Sequence, residues 1–267
     1  MFSPMLLTEV AMEKNIFEKY KDWVWQEKEN GIRAIIHIRD NRITAIRNRR
    51  NYPCLHLYPE LKALIFKNIR NAVLDAELVV FDQNHKSIFY NGINQRSKKL
   101  YEQNVEQYPV TICAFDIILL NDNLLIKKPY AERYKILSES FYDMKHFEIV
   151  KNIENPREYW ENKIIKENRE GLVIKNPRAI YEVGIRSKNY LKLKNYKVTN
   201  VVVNEVEPNS AGTKIYGMAS INNNKVVVEC QFNGIFDIKK GDVLPVVYLD
   251  VFKNRLIQPH KPSWFKK

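Results

Sequence analysis

The chain has 267 residues, 45% of them hydrophobic, which allows a sizeable core and roughly two domains at about 150 residues each. Lys and Arg total 43 against 31 Asp and Glu, and the formal net charge of +12 favours a polyanionic partner, with nucleic acid the first choice. Cys54, Cys113 and Cys230 have neither Cys-x-x-Cys spacing nor neighbouring histidines at zinc spacing, so neither a disulfide framework nor a zinc site is indicated. No run approaches the ~18 apolar residues of a membrane helix, and the start, from Met1 to Glu9, lacks a basic region followed by a long apolar one. A monomeric, cytoplasmic protein without a membrane partner is expected.

In chain order, Ile32 to Ile38, Arg42 to Arg47, Val73 to Phe81 and Val110 to Leu119 are rich in Ile and Val at strand length and predict one antiparallel sheet system. Pro129 opening Tyr130 to Ser140, and Asn155-Pro156 opening a stretch to about Lys166, carry helix-start chemistry and predict helices flanking that system. After Lys194 the pattern changes to five short strands: Asn200 to Val206, Lys214 to Ile221, Lys225 to Phe232, Val243 to Phe252 and Arg255 to Gln258. Turn signals at Asn222-Asn223-Asn224 and Gly241-Asp242 separate them. Five strands in about seventy residues suit an OB-fold, a module that binds nucleic-acid backbone. The predicted class is α+β, with domains at 1–197 and 198–267 and a hinge at Asn195 to Thr199.

Lys28 lies in Lys28-Glu29-Asn30-Gly31-Ile32-Arg33, just after Trp23-Val24-Trp25. Far downstream come Glu170-Gly171-Leu172-Val173-Ile174-Lys175 and Lys192-Leu193-Lys194. Basic and acidic groups around a lysine at these separations point to a nucleophilic amine in a phosphate-binding cleft. An attacking amine must be neutral, whereas free lysine has a pKa near ~10.4, so neighbouring cations and a bound metal are expected to favour deprotonation. Glu77 falls inside a β-rich run, where an unpaired charge is costly to bury. Lys192 and Lys194 alternate on one strand and so share a face. No Gly-x-x-x-x-Gly-Lys-Ser/Thr is present, which excludes P-loop chemistry.

Together these motifs resemble the ATP-dependent DNA ligases, in particular the minimal form with only a nucleotidyltransferase (adenylation) domain and an OB domain. Ser3-Pro4-Met5-Leu6-Leu7 is similar to the Pro-Met-Leu start of small bacterial and phage ligases and of the ligase domains of bacterial end-joining enzymes. Lys28, Gly31 and Arg33 match the family's Lys-x-Asp-Gly-x-Arg, with Asn30 standing in place of the aspartate. The resemblance implies that Lys28 forms a lysyl–AMP adduct and that Gln26 touches the adenine edge. It also implies that Arg47 bonds the ribose or the nick phosphate, Glu77 accepts from ribose hydroxyls and Phe115 stacks on adenine.

The same resemblance makes Glu170 the holder of Mg²⁺ or Mn²⁺. Lys175, Arg186, Lys192 and Lys194 would then bind the nucleotide's phosphates, with Arg33 completing the nucleotide site. ATP is the implied donor, nicked duplex DNA the implied partner, and repair, replication or recombination the implied setting. An RNA ligase, or a nick- or single-strand-binding protein impaired by Asn30, are the alternatives. The C-terminal Arg-x-Asp-Lys element of the family has no counterpart in Arg255-Leu256-Ile257-Gln258-Pro259-His260-Lys261, where Arg255 and Lys261 lack an acidic partner. Self-adenylation is the step this departure puts in question.

Overall fold

Residues 3–96, 102–234, 236–263 and 265 are described by a computed structural model, so Met1, Phe2 and Trp264 lie outside the described residues. The chain divides into two compact units between Lys194 and Asn195. The first carries β1 (Leu6–Val10), β2 (Val24–Glu27), β3 (Ile32–Arg39), β4 (Arg42–Asn48), β5 (Asn71–Val79), β6 (Thr111–Leu120), β7 (Asn123–Leu124), β8 (Phe147–Ile149), β9 (Gly171–Lys175) and β10 (Arg186–Lys194). Among the described residues no helix is long and apolar enough to cross a membrane.

Two sheets form in this unit, where the sequence predicted one antiparallel system. The larger has the order β4-β3-β5-β6-β7, with β8 parallel to β6. The smaller has the order β1-β10-β9-β2, in which β1 runs parallel to β10. Both parallel pairings join segments far apart in sequence, so no local turn signal announces them.

Strand alternation decides what each face of these sheets carries. On the larger sheet Ala34, Ile36 and Ile38 of β3 meet Leu74, Ala76 and Leu78 of β5 in one core with Leu137 and Phe141. The intervening residues, Arg33 of β3 with Asp75 and Glu77 of β5, face the other way. On the smaller sheet Trp25, Leu172, Ile174, Leu191 and Leu193 pack with Ile16, Trp160 and Ile164. Its opposite face receives the polar residues taken up below.

The helix Tyr130–Ser140 follows Pro129, whose fixed φ of −54° sits at the cap position. Asn155 stands at the N-cap position of Pro156–Tyr159 without a side-chain cap hydrogen bond, and the chain continues as a wider-wound turn through Trp160–Ile165. Arg133, from the first of these helices, is fully buried against fully buried Asp116 through Nε–Oδ1 at 2.8 Å and Nη2–Oδ2 at 2.9 Å. Tyr190 shares the pair, 2.7 Å from the guanidinium and 3.0 Å from the carboxylate.

The second unit holds β11 (Lys197–Asn209), β12 (Gly212–Ile221), β13 (Asn224–Asn233), β14 (Val243–Tyr248), β15 (Asp250–Phe252) and β16 (Arg255–Ile257) in the order β14-β11-β12-β13-β16-β15. The strand expected from Val243 to Phe252 is thus two, interrupted at Leu249. Because β14 and β15 are consecutive yet stand at opposite ends of the order, Leu249 links the ends of the sheet into a ring. Asn222 and Asn223 join β12 to β13 with φ of 49° and 63°, left-handed values that asparagine tolerates in tight hairpins. Lys197 to Thr199, read in the sequence as a hinge, pair with β14 as part of β11.

Arg133→Met should remove one partner of a fully buried ion pair and strand Asp116. A loss of about 3–5 kcal/mol is expected, measured as a shift of the urea unfolding midpoint of the first unit.

Candidate nucleotide site

Cross-strand register brings the predicted residues of the smaller sheet together. Gln26 of β2 pairs with Val173 of β9, Val173 with Lys192 of β10, and Lys192 with Glu9 of β1. The next row on the same face contains Gly171 and Lys194, with Lys28 joined by its N–H to the Gly171 carbonyl at 2.9 Å. The row on the other side carries Lys175 opposite Tyr190. One sheet face therefore holds Gln26, Lys28, Val173, Lys175, Lys192 and Lys194.

Two glycines make this approach feasible. Gly171 has φ of +150°, and a Cβ there would come within 2.1 Å of the Leu193 carbonyl oxygen. A Cβ on Gly31 would lie 2.3 Å from the Leu78 carbonyl oxygen and 2.7 Å from Glu77 Cγ. The loop after Lys28 can press against β5 only without a side chain.

A cavity in this unit is lined by Leu7, Gln26, Lys28, Arg33, Glu77, Phe115, Val173 and Lys175, together with Glu27, Glu29 and Val150. Lys28 Nζ lies 2.8 Å from Glu170 Oε1. Burial alone would lower the pKa of this amine, but the carboxylates of Glu170 and Glu77 outweigh burial and leave it raised. The sequence expectation is that neighbouring cations and a bound metal favour deprotonation of Lys28; the cations of the chain alone do not achieve it. Arg33 acts in that direction, yet two carboxylates prevail. Glu77 is pushed up to about 7, chiefly by burial, against the pull of Lys28 and Arg33.

Arg33 is committed to Asp75 through Nε–Oδ1 at 2.5 Å and Nη2–Oδ2 at 2.6 Å, and also donates to the Met5 carbonyl. Tyr181 donates to the same carboxylate at 2.5 Å. Phe115 lies beneath two cations, with the Arg33 guanidinium 4.6 Å and Lys175 Nζ 4.7 Å from its ring centroid. Lys175, 2% exposed, donates to the Phe115 carbonyl and the Tyr130 hydroxyl, each at 3.2 Å. Burial pulls its pKa down to about 7, against the raising effect of Asp116.

Gln26 donates through Nε2 to the Val150 carbonyl at 3.1 Å and to Asn152 Oδ1 at 3.0 Å. Lys192 and Lys194 converge on Glu9 Oε2, at 2.8 and 3.7 Å. The amine of Lys194 is lowered by burial and by Lys192. Asn30 donates its backbone N–H to Ser87 Oγ at 2.9 Å.

Five expected residues lie outside the cavity lining: Glu170, Lys192 and Lys194, which adjoin it through Lys28 and the sheet face, and Arg47 and Arg186, which point elsewhere. Arg47, on β4, donates to the Asn51 carbonyl at 3.1 Å. Arg186, exposed at the start of β10, donates to the Leu7 carbonyl. In the second unit Lys261 donates to the Phe265 carbonyl at 2.9 Å, and Arg255 sits on β16.

The sequence reading overlooked Asp75, Tyr181, Glu9 and Asn152. Asp75 was recoverable, since alternation in Asp75-Ala76-Glu77 places both carboxylates on one face. The other three depend on long-range pairing and carry no local signal.

Glu170 Oε2 is buried without a hydrogen-bond partner, an acceptor suited to a divalent cation. No group of three or more metal-ligating side chains occurs among the described residues. That donor set suits Mg²⁺, which is held by one or two carboxylates and completed by water and phosphate oxygens.

The ATP dependent DNA ligase domain family matches residues 4–194. The chain belongs to this family. A DNA ligase of Nitrosopumilus maritimus is 31% identical over 206 residues, which cover 72% of this chain and 34% of that protein. The SPbeta prophage-derived DNA ligase-like protein LigB of Bacillus subtilis is 29% identical over 203 residues, covering 75% and 70%. The chain spans about a third of the length of the archaeal ligases it matches. A solved Lig E DNA ligase aligns over 98% of both chains with a TM-score of 0.68 at 15% identity, which shows a shared fold.

Lys175 is neutral in the folded chain above about pH 7 and charged in the unfolded chain up to about pH 10.4. The unfolded state binds more protons in that window, so this residue makes stability rise with pH. Wild type should therefore gain on Lys175→Met between about pH 7 and 10, read from urea midpoints. Midpoints that stay parallel would mean that the folded state keeps the ammonium.

Proposed function

We propose that this chain is an ATP-dependent DNA ligase that seals 5′-phosphate/3′-hydroxyl nicks in duplex DNA through a lysyl–AMP intermediate. The observation that carries the reading is the Lys28–Glu170 pair, whose lysine lines one cavity with Phe115, beside the Lys192–Lys194 row. Membership of the ligase domain family and the named ligases among its relatives support the same reading.

Lys28 is the nucleophile. Its ammonium first gives up one proton to solvent, which frees the lone pair; Nζ then forms a bond to the α-phosphorus of ATP as the bond to pyrophosphate breaks, and a second proton leaves to solvent, so that the phosphoramidate keeps one N–H. The carboxylate of Glu170 would hold the divalent cation, which when bound neutralises phosphate charge and competes with Lys28 for that carboxylate. Phe115 and Val173 supply apolar surface to the purine, and Gln26, fixed by Asn152, lies at its edge. Glu77 accepts from the ribose. Lys192 and Lys194 exchange Glu9 for phosphate oxygens, so positioning and charge neutralisation lower the barrier. AMP then passes to the 5′-phosphate of the nick, and the 3′-hydroxyl displaces it. Arg47 and Arg186, outside the cavity, are assigned to the nick phosphates.

The second unit is read as an OB domain. Its support is the ring closed through Leu249, with β13 and β16 parallel and the other neighbouring pairs antiparallel. The net charge of +12 favours the duplex backbone as its partner.

Incubation with α-labelled ATP and Mg²⁺ should leave label on the denatured chain, and Lys28→Ala should abolish it. Chase with a nicked duplex should move the label to DNA and yield a sealed strand. Absence of label, with closure of a pre-adenylated nick intact, would confine activity to the last step; absence of both would refute the ligase reading. Nick affinity should fall by about 10³ between roughly 50 and 200 mM salt if at least about six phosphates are neutralised.

A further inference from the structure

Glu27 and Arg169 each immediately precede a member of the Lys28–Glu170 pair. Glu27 borders the nucleotide cavity, but strand alternation turns its side chain to the opposite face of the smaller sheet, that of Trp25 and Leu172. There Arg169 Nη1 meets Glu27 Oε1 at 2.8 Å, with side chains 8% and 10% exposed. The two consecutive ion pairs thus lie on opposite faces of the same two chain segments.

Arg169 reaches further than this partner. It donates to the carbonyls of His85 at 3.0 Å and Asn84 at 3.3 Å, and pairs with Glu167 at 2.7 Å. Tyr159 donates its hydroxyl to Glu27 from the helical segment packed on that face. Asn84 and His85 belong to the turn closed by the Phe81–Ser87 bridge, and Ser87 receives the backbone N–H of Asn30. The segment carrying Lys28 is consequently held at Glu27 by Arg169, at Lys28 by Gly171, and at Asn30 by the turn that Arg169 fastens.

We infer that Arg169 is a positioning residue that sets the spacing and register of Lys28 against Glu170, acting through Glu27 and the 82–87 turn. Arg169 itself is absent from the lining of the nucleotide cavity, so its influence is on the geometry of the reacting amine. An arginine is required because a planar fork can serve a carboxylate and backbone carbonyls together, which an ammonium on a flexible stem does poorly. The inference rests on the ligase reading for its kinetic consequence but not for its structural one.

The test uses the full chain with Arg169→Met, Arg169→Lys and Glu27→Gln, each confirmed folded by thermal unfolding. At saturating ATP, single-turnover label transfer to Lys28 should slow roughly 10- to 100-fold in Arg169→Met, as expected for a misplaced reacting group. The KM for ATP should change less than about threefold, and Arg169→Lys should recover only part of the loss. Glu27→Gln combined with Arg169→Met should be far from additive. Independently of any ligase activity, trace acetylation read by mass spectrometry should show Lys28 becoming more reactive in Arg169→Met, while Lys192 stays unchanged. No label on wild type and no closure of a pre-adenylated nick, with Lys28 reactivity still altered in Arg169→Met, would refute the ligase reading and keep the positioning role. An effect confined to KM or to thermal stability, with Lys28 reactivity unaltered, would overturn the positioning role and leave the ligase reading standing. If Arg169→Met fails to fold, Glu27→Gln and Arg169→Lys decide by the same two readouts.

Discussion

A strand turns successive side chains to opposite faces, and in the sheet β1-β10-β9-β2 that alternation separates chemistry from cohesion. Trp25, Leu172, Ile174, Leu191 and Leu193 go to the core, while Gln26, Val173, Lys175, Lys192 and Lys194 go to the cleft. A shift of one residue in any of these strands would exchange the two sets. The cations on the cleft face repel one another, and carboxylates from three directions offset that repulsion: Glu9 from the edge strand, Glu170 from the loop before β9 and Glu77 from the facing sheet. The resting cleft is an internally compensated charge lattice. On the proposed function, a polyphosphate would enter by replacing carboxylates as the partners of lysines that are already in place, which reduces the ordering entropy lost on binding.

The same compensation governs the reacting amine. Burial disfavours the charged form of Lys28, yet Glu170 and Glu77 hold it protonated. Reactivity then depends on diverting those carboxylates rather than on a permanently depressed lysine. Glu170 is suited to this because its second oxygen is buried and unpartnered; a cation there gains an acceptor that now has nothing. Lys175 presents the opposite case, since no carboxylate lies within its hydrogen-bonding reach and burial prevails.

Local physics made part of this legible from sequence. The Ile- and Val-rich runs became strands within a few residues of their predicted bounds, and the Asn222-Asn223 turn formed where left-handed tolerance allowed it. The Lys192–Lys194 face followed from a period of two. Pairings across long sequence separation stayed hidden: β1 beside β10 makes Glu9 a neighbour of Lys192, although about 180 residues intervene. Ion pairing against burial was equally opaque, because the protonation of Lys28 depends on which charges the fold brings within a few ångströms. Arg47 and Arg186 show the converse limit, since matching a motif fixes identity but not the direction in which a guanidinium points. The division at Leu249 arises from ring closure, a demand that a run of β-branched residues does not express.

Phe115 illustrates how the two sheets share one constraint. Its ring has Arg33 over it at 4.6 Å and Lys175 at 4.7 Å, while its carbonyl accepts from Lys175 and from Tyr130. Arg33 is in turn fixed by Asp75 and Tyr181, and Tyr190 joins the Asp116–Arg133 pair behind the same strand. Ring faces attract cations, so both contacts favour one orientation of the aromatic plane. A phenylalanine so held has little rotamer freedom left, and on the proposed function little to lose to a purine. The polar groups around Phe115, of which Arg33 and Lys175 line the cavity with it, therefore do more than satisfy one another: by fixing the ring they make a flexible aromatic residue a rigid part of the cavity wall.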